Sequence, residues 1–187
     1  MRKDLGVKGA IYPEPVLILS TYNEDGSADA MNAAWGCVMD NDKIGIVLSH
    51  DHKTTANILK RKAVVVSFGT KKMVASCDYV GVVSGNTEPH KFEKSGFHSL
   101  PSKVVDAPLI EELPLALECE LDRYEEDKEL MVLTIKNVSA DETILDSHGK
   151  IDIAKLEPIS FDGFNNQYVL LKGDVAPAFK IGLSLKK

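Results

Sequence analysis

Short apolar runs rich in β-branched residues, separated by tight turns, are the feature that most constrains this fold. Residues 15–22 form such a run, which ends at Asp25-Gly26, a dipeptide typical of hairpin turns. The chain returns through residues 28–39, and an Asn41-Asp42 turn leads to a third run at 44–49. The pattern predicts three antiparallel strands arranged as a meander.

The same signal returns later in the chain. Residues 115–124 alternate between apolar and polar side chains, and an acidic turn separates them from a matching run at 129–135. Further strands are predicted at 63–68, 159–161 and 168–171. Many short strands with few helices are typical of a closed or partly closed antiparallel barrel. The sequence therefore predicts a mainly β fold with a few helices.

Two helices and one long loop interrupt the strands. Residues 50–61 are predicted to be helical, with Asp51 or a nearby threonine as the N-cap and a cationic C-terminal end. Residues 73–83 form the second predicted helix, with a buried face made of Met73, Val74, Cys77, Val80 and Gly81. The segment 84–114, rich in Gly, Pro, His and Ser, is predicted to be a functional loop with a short helical turn.

Composition and charge exclude several classes of protein. The net charge of −6 and the pI near 5.4 argue against nucleic acid as a partner. No apolar stretch approaches the roughly 20 residues of a membrane-spanning helix, and no polybasic membrane-binding run occurs. The three widely spaced cysteines support neither a disulfide framework nor a cysteine metal site. We expect one domain over residues 1–187, in the cytoplasm.

Common nucleotide and hydrolase motifs are absent from the sequence. It contains no GxGxxG after a strand, no P-loop, no HExxH and no GxSxG. Dinucleotide or ATP binding through those standard folds is therefore not expected.

The segment 49–57 joins a predicted strand end to a predicted helix start. Free N–H groups at such a junction favour an anion, and Lys53 would add charge while Thr54 and Thr55 add hydroxyl donors. The candidate anion-binding residues are Ser49, His52, Lys53, Thr54, Thr55 and Asn57. On residue types alone, ordinary helix capping is the more common explanation.

The segment 32–37 combines small residues with the only tryptophan of the chain. Small side chains allow a flat ligand to approach the backbone, and Trp35 is suited to flank an aromatic ring. The residues are Asn32, Ala33, Ala34, Trp35, Gly36 and Cys37. On residue types alone, a core Trp35 and a buried Cys37 are the more common outcome.

A third polar group follows the second predicted helix. Cys77-Asp78 and a loop with Ser84, His90 and Lys91 are candidates for one wall of a pocket. His90 and His98 are possible proton donors or simply surface residues. His50 and His52 lack further ligands at a matching spacing, so no metal site is predicted.

The motifs follow one another along the chain as Pro15-Val16-Leu17, Asp25-Gly26, Asn32-Ala33, Trp35, His52-Lys53-Thr54-Thr55-Ala56-Asn57-Ile58, Ser84-Gly85, Lys91-Phe92, Gly96, Ala107-Pro108-Leu109-Ile110 and Leu117-Glu118-Cys119. This succession resembles the flavin reductase-like, FMN-binding split-barrel family, over roughly residues 12 to 171. The resemblance is closest to its flavoredoxin and flavin reductase branch.

The resemblance implies a homodimer that holds FMN without a covalent bond. Segment 32–37 would lie along the isoalloxazine, segment 49–57 would hold the phosphate with Lys53, and residues 84–92 would border the flavin. The implied chemistry is hydride transfer from NADH or NADPH to FMN and electron delivery to an acceptor, with His90 and Cys37 as catalytic candidates. The alternative is a flavoredoxin-like electron carrier reduced by a redox partner protein.

Overall fold

The computed structural model describes residues 1–186 and contains twelve strands and four α-helices within them. The strands are β1 (Glu14–Pro15), β2 (Leu17–Tyr22), β3 (Ala28–Ala33), β4 (Gly36–Asp40), β5 (Lys43–Val47), β6 (Ala63–Phe68), β7 (Ser99–Pro101), β8 (Pro108–Ile110), β9 (Leu115–Glu125), β10 (Leu130–Ala140), β11 (Ile159–Asp162) and β12 (Gln167–Leu170). The helices are α1 (Lys53–Arg61), α2 (Val74–Val82), α3 (Lys91–Lys94) and α4 (Ile153–Leu156).

Seven antiparallel strands form the main sheet, in the order β3-β2-β6-β9-β10-β5-β4. The Asp25-Gly26 hairpin joins β2 and β3 as predicted, and Gly26 takes a φ of +85° that the turn requires. Strands β3 and β4 occupy opposite edges although only two residues, 34 and 35, separate them. The sheet therefore curls into a split barrel, and the prediction of a mainly antiparallel β barrel is confirmed.

The predicted meander is wrong. Residues 28–39 are not one strand: they break at Ala34-Trp35 into β3 and β4, which pair with β2 and β5 respectively. The continuous run of small and apolar residues concealed this break, although Gly36 directly follows it.

Each face of the curled sheet has its own hydrophobic core. Successive side chains of β2 point to opposite faces of the sheet, so Leu19 lies in the core that contains Ile46, Met131 and Leu133. Helix α1 covers this core with Ile58. The neighbour of Leu19 in sequence, Ile18, points to the other face, where α2, α3 and β8 pack. The core on that face also includes Cys77, Val80, Phe92 and Ile110.

The segment 84–114 contains more structure than predicted. Besides the expected helical turn, α3, it forms the β7–β8 hairpin, whose register places Pro101 opposite Pro108. Proline is depleted in strands, which is why the sequence pattern did not indicate this hairpin. A third sheet, of three strands in the order β1-β11-β12, lies beside the barrel.

Both predicted helices are present. Helix α2 follows a short 3₁₀ turn at Lys71–Met73 and buries Cys77 and Val80, while Gly81 approaches β3 closely. A Cβ at Gly81 would lie 2.9 Å from Cβ of Asn32, so only glycine permits this contact. Over residues 1–186, no helix has the length and apolar character needed to cross a membrane.

Candidate functional site

The break between β3 and β4 turns a tryptophan out to solvent. Gly36 N donates to Ala34 O at 2.9 Å, and Val47 N donates to Trp35 O at 2.9 Å, which fixes the bend. Trp35 is 64% exposed and Cys37 is also exposed. The interpretation of both as core residues is therefore wrong, because Trp35 lies between two strands rather than within one.

A cavity of about 250 Å³ connects this bend to the start of α1. It contains six of the residues that the sequence analysis selected, which are Asn32, Ala33, Ala34, Trp35, Ser49 and His52. Gly36 and Cys37 line a different feature, an apolar groove of about 590 Å³. The predicted ring-binding segment 32–37 is thus divided between two adjacent concave surfaces.

The N-terminus of α1 has no side-chain cap. Its N-cap residue, His52, accepts no hydrogen bond through its side chain, and no acidic residue lies in the first turn. Asp51 is exposed, and its Oδ1 lies 3.0 Å from Nε2 of His50. The capping interpretation is therefore wrong, and the free N–H groups of the first turn together with Lys53 make a site suited to an anion.

The polar side chains of this helix start serve internal contacts. Thr54 Oγ1 donates to Asp29 Oδ2 and Thr55 Oγ1 donates to the Ser49 carbonyl, each at 2.8 Å. Asn57 Nδ2 donates to side-chain oxygens in and after β2, on Thr21 and Asn23. Since each hydroxyl has one proton to donate, an anion here would be held by backbone N–H groups and Lys53. The roles of Thr54, Thr55 and Asn57 toward a cofactor remain predictions.

We expect Thr54→Val to lower the free energy of unfolding by about 1–3 kcal/mol, because Asp29 loses a buried hydrogen-bond donor. Urea unfolding followed by circular dichroism measures this change. The control is Thr143→Val, which removes a similar bond to Asp141 at the surface and should cost less than about 0.5 kcal/mol. Equal losses in the two variants would contradict the assignment.

A buried ion pair that the sequence analysis missed lies behind the helix start. Asp29 Oδ1 is 3.5 Å from Nζ of Lys91, and each side chain is only 3% exposed. Burial lowers the pKa of Lys91, and the nearby Asp29 carboxylate partly offsets that effect. A Cβ at Gly85 would lie 2.8 Å from Asp29 Oδ1 and 3.0 Å from Cδ of Lys53, so glycine allows the loop to pack here. The sequence signal for this pair is Asp29 itself, a charged residue between two small apolar residues, Ala28 and Ala30, in a predicted strand.

The loop before α3 borders the same region. Asn86 Nδ2 donates to the Asp51 carbonyl at 2.9 Å, which ties this loop to the segment before α1. Ser84 is exposed, and its carbonyl accepts backbone bonds that form a turn. His90 is exposed and lines a polar cavity of about 390 Å³ together with Lys53. The structure thus places Ser84, His90 and Lys91 near the start of α1, and their functional roles remain predictions.

The Cys77-Asp78 pair separates into a core residue and a surface contact. Cys77 is fully buried, and burial raises the pKa of its thiol to about 11. Asp78 Oδ1 accepts a 2.8 Å hydrogen bond from the hydroxyl of Tyr168 in β12. Burial of the Tyr168 ring raises the pKa of its hydroxyl, and the hydrogen bond to Asp78 raises it further. Tyr168 also lies by Asn32. It is distant from Asn32 in sequence, so no local motif indicates this contact.

His98 is an exposed residue that pairs with a carboxylate. Its Nδ1 lies 2.6 Å from Oε1 of Glu112, and the hydrogen bond to that carboxylate raises the pKa of His98. Burial opposes ionisation of Glu112, yet the hydrogen bonds from His98 outweigh it and lower the pKa of Glu112. Among residues 1–186, no three His, Cys, Asp or Glu side chains gather as metal ligands.

The stability that this pair contributes should depend on pH. The stabilisation that comes from His98 is complete below pH 6.5, the ordinary pKa of histidine. It is lost as the pH rises through the raised pKa of His98 in the folded protein. The stabilisation that comes from Glu112 is complete above pH 4.5, the ordinary pKa of glutamate. It is lost as the pH falls through the lowered pKa of Glu112 in the folded protein. The contribution is therefore greatest between pH 4.5 and 6.5. An NMR titration should place the His98 midpoint above 6.5, and Glu112→Gln should return it toward 6.5; an unchanged midpoint in that variant would contradict the pairing.

Comparison with known proteins is consistent with this geometry. The family model described as "Flavin reductase like domain" matches residues 9–154. Flavoredoxin of Desulfovibrio vulgaris (Miyazaki F) is 32% identical, with a TM-score of 0.92 over 97% of this chain and 100% of its own. A flavoredoxin from Methanosarcina acetivorans is 27% identical, with a TM-score of 0.87 over 99% of both chains. An FMN-binding domain of a flavin reductase-like enzyme from Shewanella baltica has the same fold, with 20% identity and a TM-score of 0.79 over 88% and 89% of the two chains.

The family match covers most of the chain, and the split barrel and the order of its motifs agree with it. The chain belongs to the flavin reductase-like, FMN-binding family.

Proposed function

We propose that this chain is an FMN-dependent oxidoreductase that takes electrons from NADH or NADPH and passes them to an acceptor. The observation that carries the proposal is the single cavity that joins the Ala33–Trp35 bend to the start of α1. A flat ring and a phosphate are the two parts of FMN that such a pair of surfaces would recognise.

The residues present fit the cofactor. Lys53 and the free N–H groups of the first turn of α1 would hold the phosphate, since no carboxylate caps that turn. The exposed Trp35 and the small side chains of Ala33 and Ala34 would lie along the ring system. The buried Asp29–Lys91 pair, through Thr54, keeps the helix start in position.

Bound FMN would supply the redox chemistry, by accepting a hydride from the nicotinamide and releasing it as two electrons and a proton. The contribution of the chain is to bind and orient the cofactor and to leave one face of the bend open to the donor. His90 and Cys37 are the candidates for contact with the reacting groups, and both side chains are exposed.

A second candidate function is electron transfer without a nicotinamide site. The likeness to two flavoredoxins, which extends over almost the whole chain, supports this alternative. In that case FMN would receive its electrons from a redox partner protein.

The visible absorption spectrum of purified protein, followed by anaerobic titration with NADH and NADPH, tests the proposal. Yellow protein that is bleached by a pyridine nucleotide is the expected result. Yellow protein that either nucleotide leaves unchanged would favour the electron-transfer alternative. Colourless protein that fails to bind added FMN would overturn both candidates.

A further inference from the structure

An apolar groove lies beside β4. It has a volume of about 590 Å³, and none of the residues that line it carries a charge. Ile44 and Phe68 lie in its wall, while Val38 and Ile153 on its rim are 78% and 37% exposed. A concave surface of this size with an apolar lining is suited to bind an apolar ligand or an apolar segment of a protein.

The same chain carries an apolar segment with nothing to pack on. Residues 172–186, here named the C-terminal arm, are exposed throughout. The arm holds five large apolar side chains that are each more than half exposed, which are Val175, Phe179, Ile181, Leu183 and Leu185. The hydrogen bonds recorded for the arm are internal to it. One protomer alone therefore leaves the arm unsupported.

The arm begins at the groove. Leu171 N donates to the Pro158 carbonyl at 3.0 Å, and Leu171 and Pro158 both line the groove. Beyond Leu171 the chain leaves the body of the protein instead of turning into the adjacent groove. Structural similarity to the Desulfovibrio flavoredoxin leaves fewer residues of this chain unmatched than the arm contains, so part of the arm has a counterpart there.

We propose that the C-terminal arm of one protomer packs into the apolar groove of a second copy of this chain, and that the exchange is reciprocal. A two-fold arrangement satisfies two grooves and two arms at once and leaves no open end. It also explains why an apolar arm and an apolar groove stand next to each other in one protomer without making contact. This proposal does not depend on whether FMN binds.

A disulfide cross-link tests where the arm lies. Cys37 lines the groove and is exposed, whereas Cys77 and Cys119 are buried with pKa values raised by burial to about 11 and about 12. Introducing Phe179→Cys or Leu183→Cys and oxidising the full-length protein should produce a covalent dimer on a non-reducing gel. Adding Cys37→Ser should abolish it. A disulfide that forms within one chain would overturn the proposal.

A second measurement covers the case in which neither cysteine lies at bonding distance. Phe179→Glu combined with Leu183→Glu in the full-length chain should weaken dimerisation at least tenfold, measured by sedimentation over a concentration series. Phe179→Leu combined with Leu183→Met keeps both positions apolar and should leave the dimer unchanged. A monomeric wild-type protein, or a dimer that the glutamates do not weaken, would overturn the proposal.

Discussion

Replacing Asp29 by alanine should lower the free energy of unfolding by about 3–5 kcal/mol, since it leaves the Lys91 ammonium buried without its partner. The change also removes the acceptor of the Thr54 hydroxyl at the start of α1. Urea unfolding of the apoprotein measures the loss, so the result does not depend on the bound cofactor.

The double variant Asp29→Ala/Lys91→Met separates the cost of an unpaired charge from the loss of packing. Exchange of a buried pair for apolar side chains is often close to neutral, so the double variant should be more stable than Asp29→Ala alone. Additive losses from the two single variants would show that the pair is not coupled in the folded protein.

Lys53→Glu should weaken FMN binding by about 30- to 200-fold, because it removes a charge-assisted contact and places a like charge beside the phosphate. Riboflavin lacks the phosphate, and its affinity should change less than about threefold. Fluorescence titration of the apoprotein with each flavin gives both constants.

Lys72→Glu is the matched control for this variant. It makes the same change of charge at an exposed position in the 3₁₀ turn Lys71–Met73, outside the two cavities that adjoin the start of α1. FMN affinity equal to that of the wild type is expected there. If Lys53→Glu lowered the affinities of FMN and riboflavin equally, the phosphate would not lie at α1.

The strands that depend on local pattern were predicted well. The apolar run at 63–68 coincides with β6, and the alternating run at 115–124 lies within β9. The hairpin at Asp25-Gly26 follows from turn chemistry alone. In these places the residues that decide the structure are neighbours in sequence, so the sequence contains the whole signal.

The parts that were missed depend on contacts between distant residues. Asp29 and Lys91 meet only because β3 and α3 pack together, and nothing near either residue indicates its partner. The break at Trp35 also depends on distant contacts. Strand β3 pairs with β2 and β4 pairs with β5, so the two strands lie at opposite edges of the sheet. The candidate anion site at α1 was predicted, but the inward use of the Thr54 and Thr55 hydroxyls was not.

The position of β4 at the edge of the curled sheet has a consequence for solubility. An edge strand presents unpaired backbone groups to which another chain can add, and β4 also carries the exposed Val38 and Met39. However, β4 has only five residues, and its pairing with β5 shifts register between Val38 and Asp40. A short, irregular edge is a poor template for strand addition. The apolar rim can therefore remain open to a partner with little risk of open-ended aggregation.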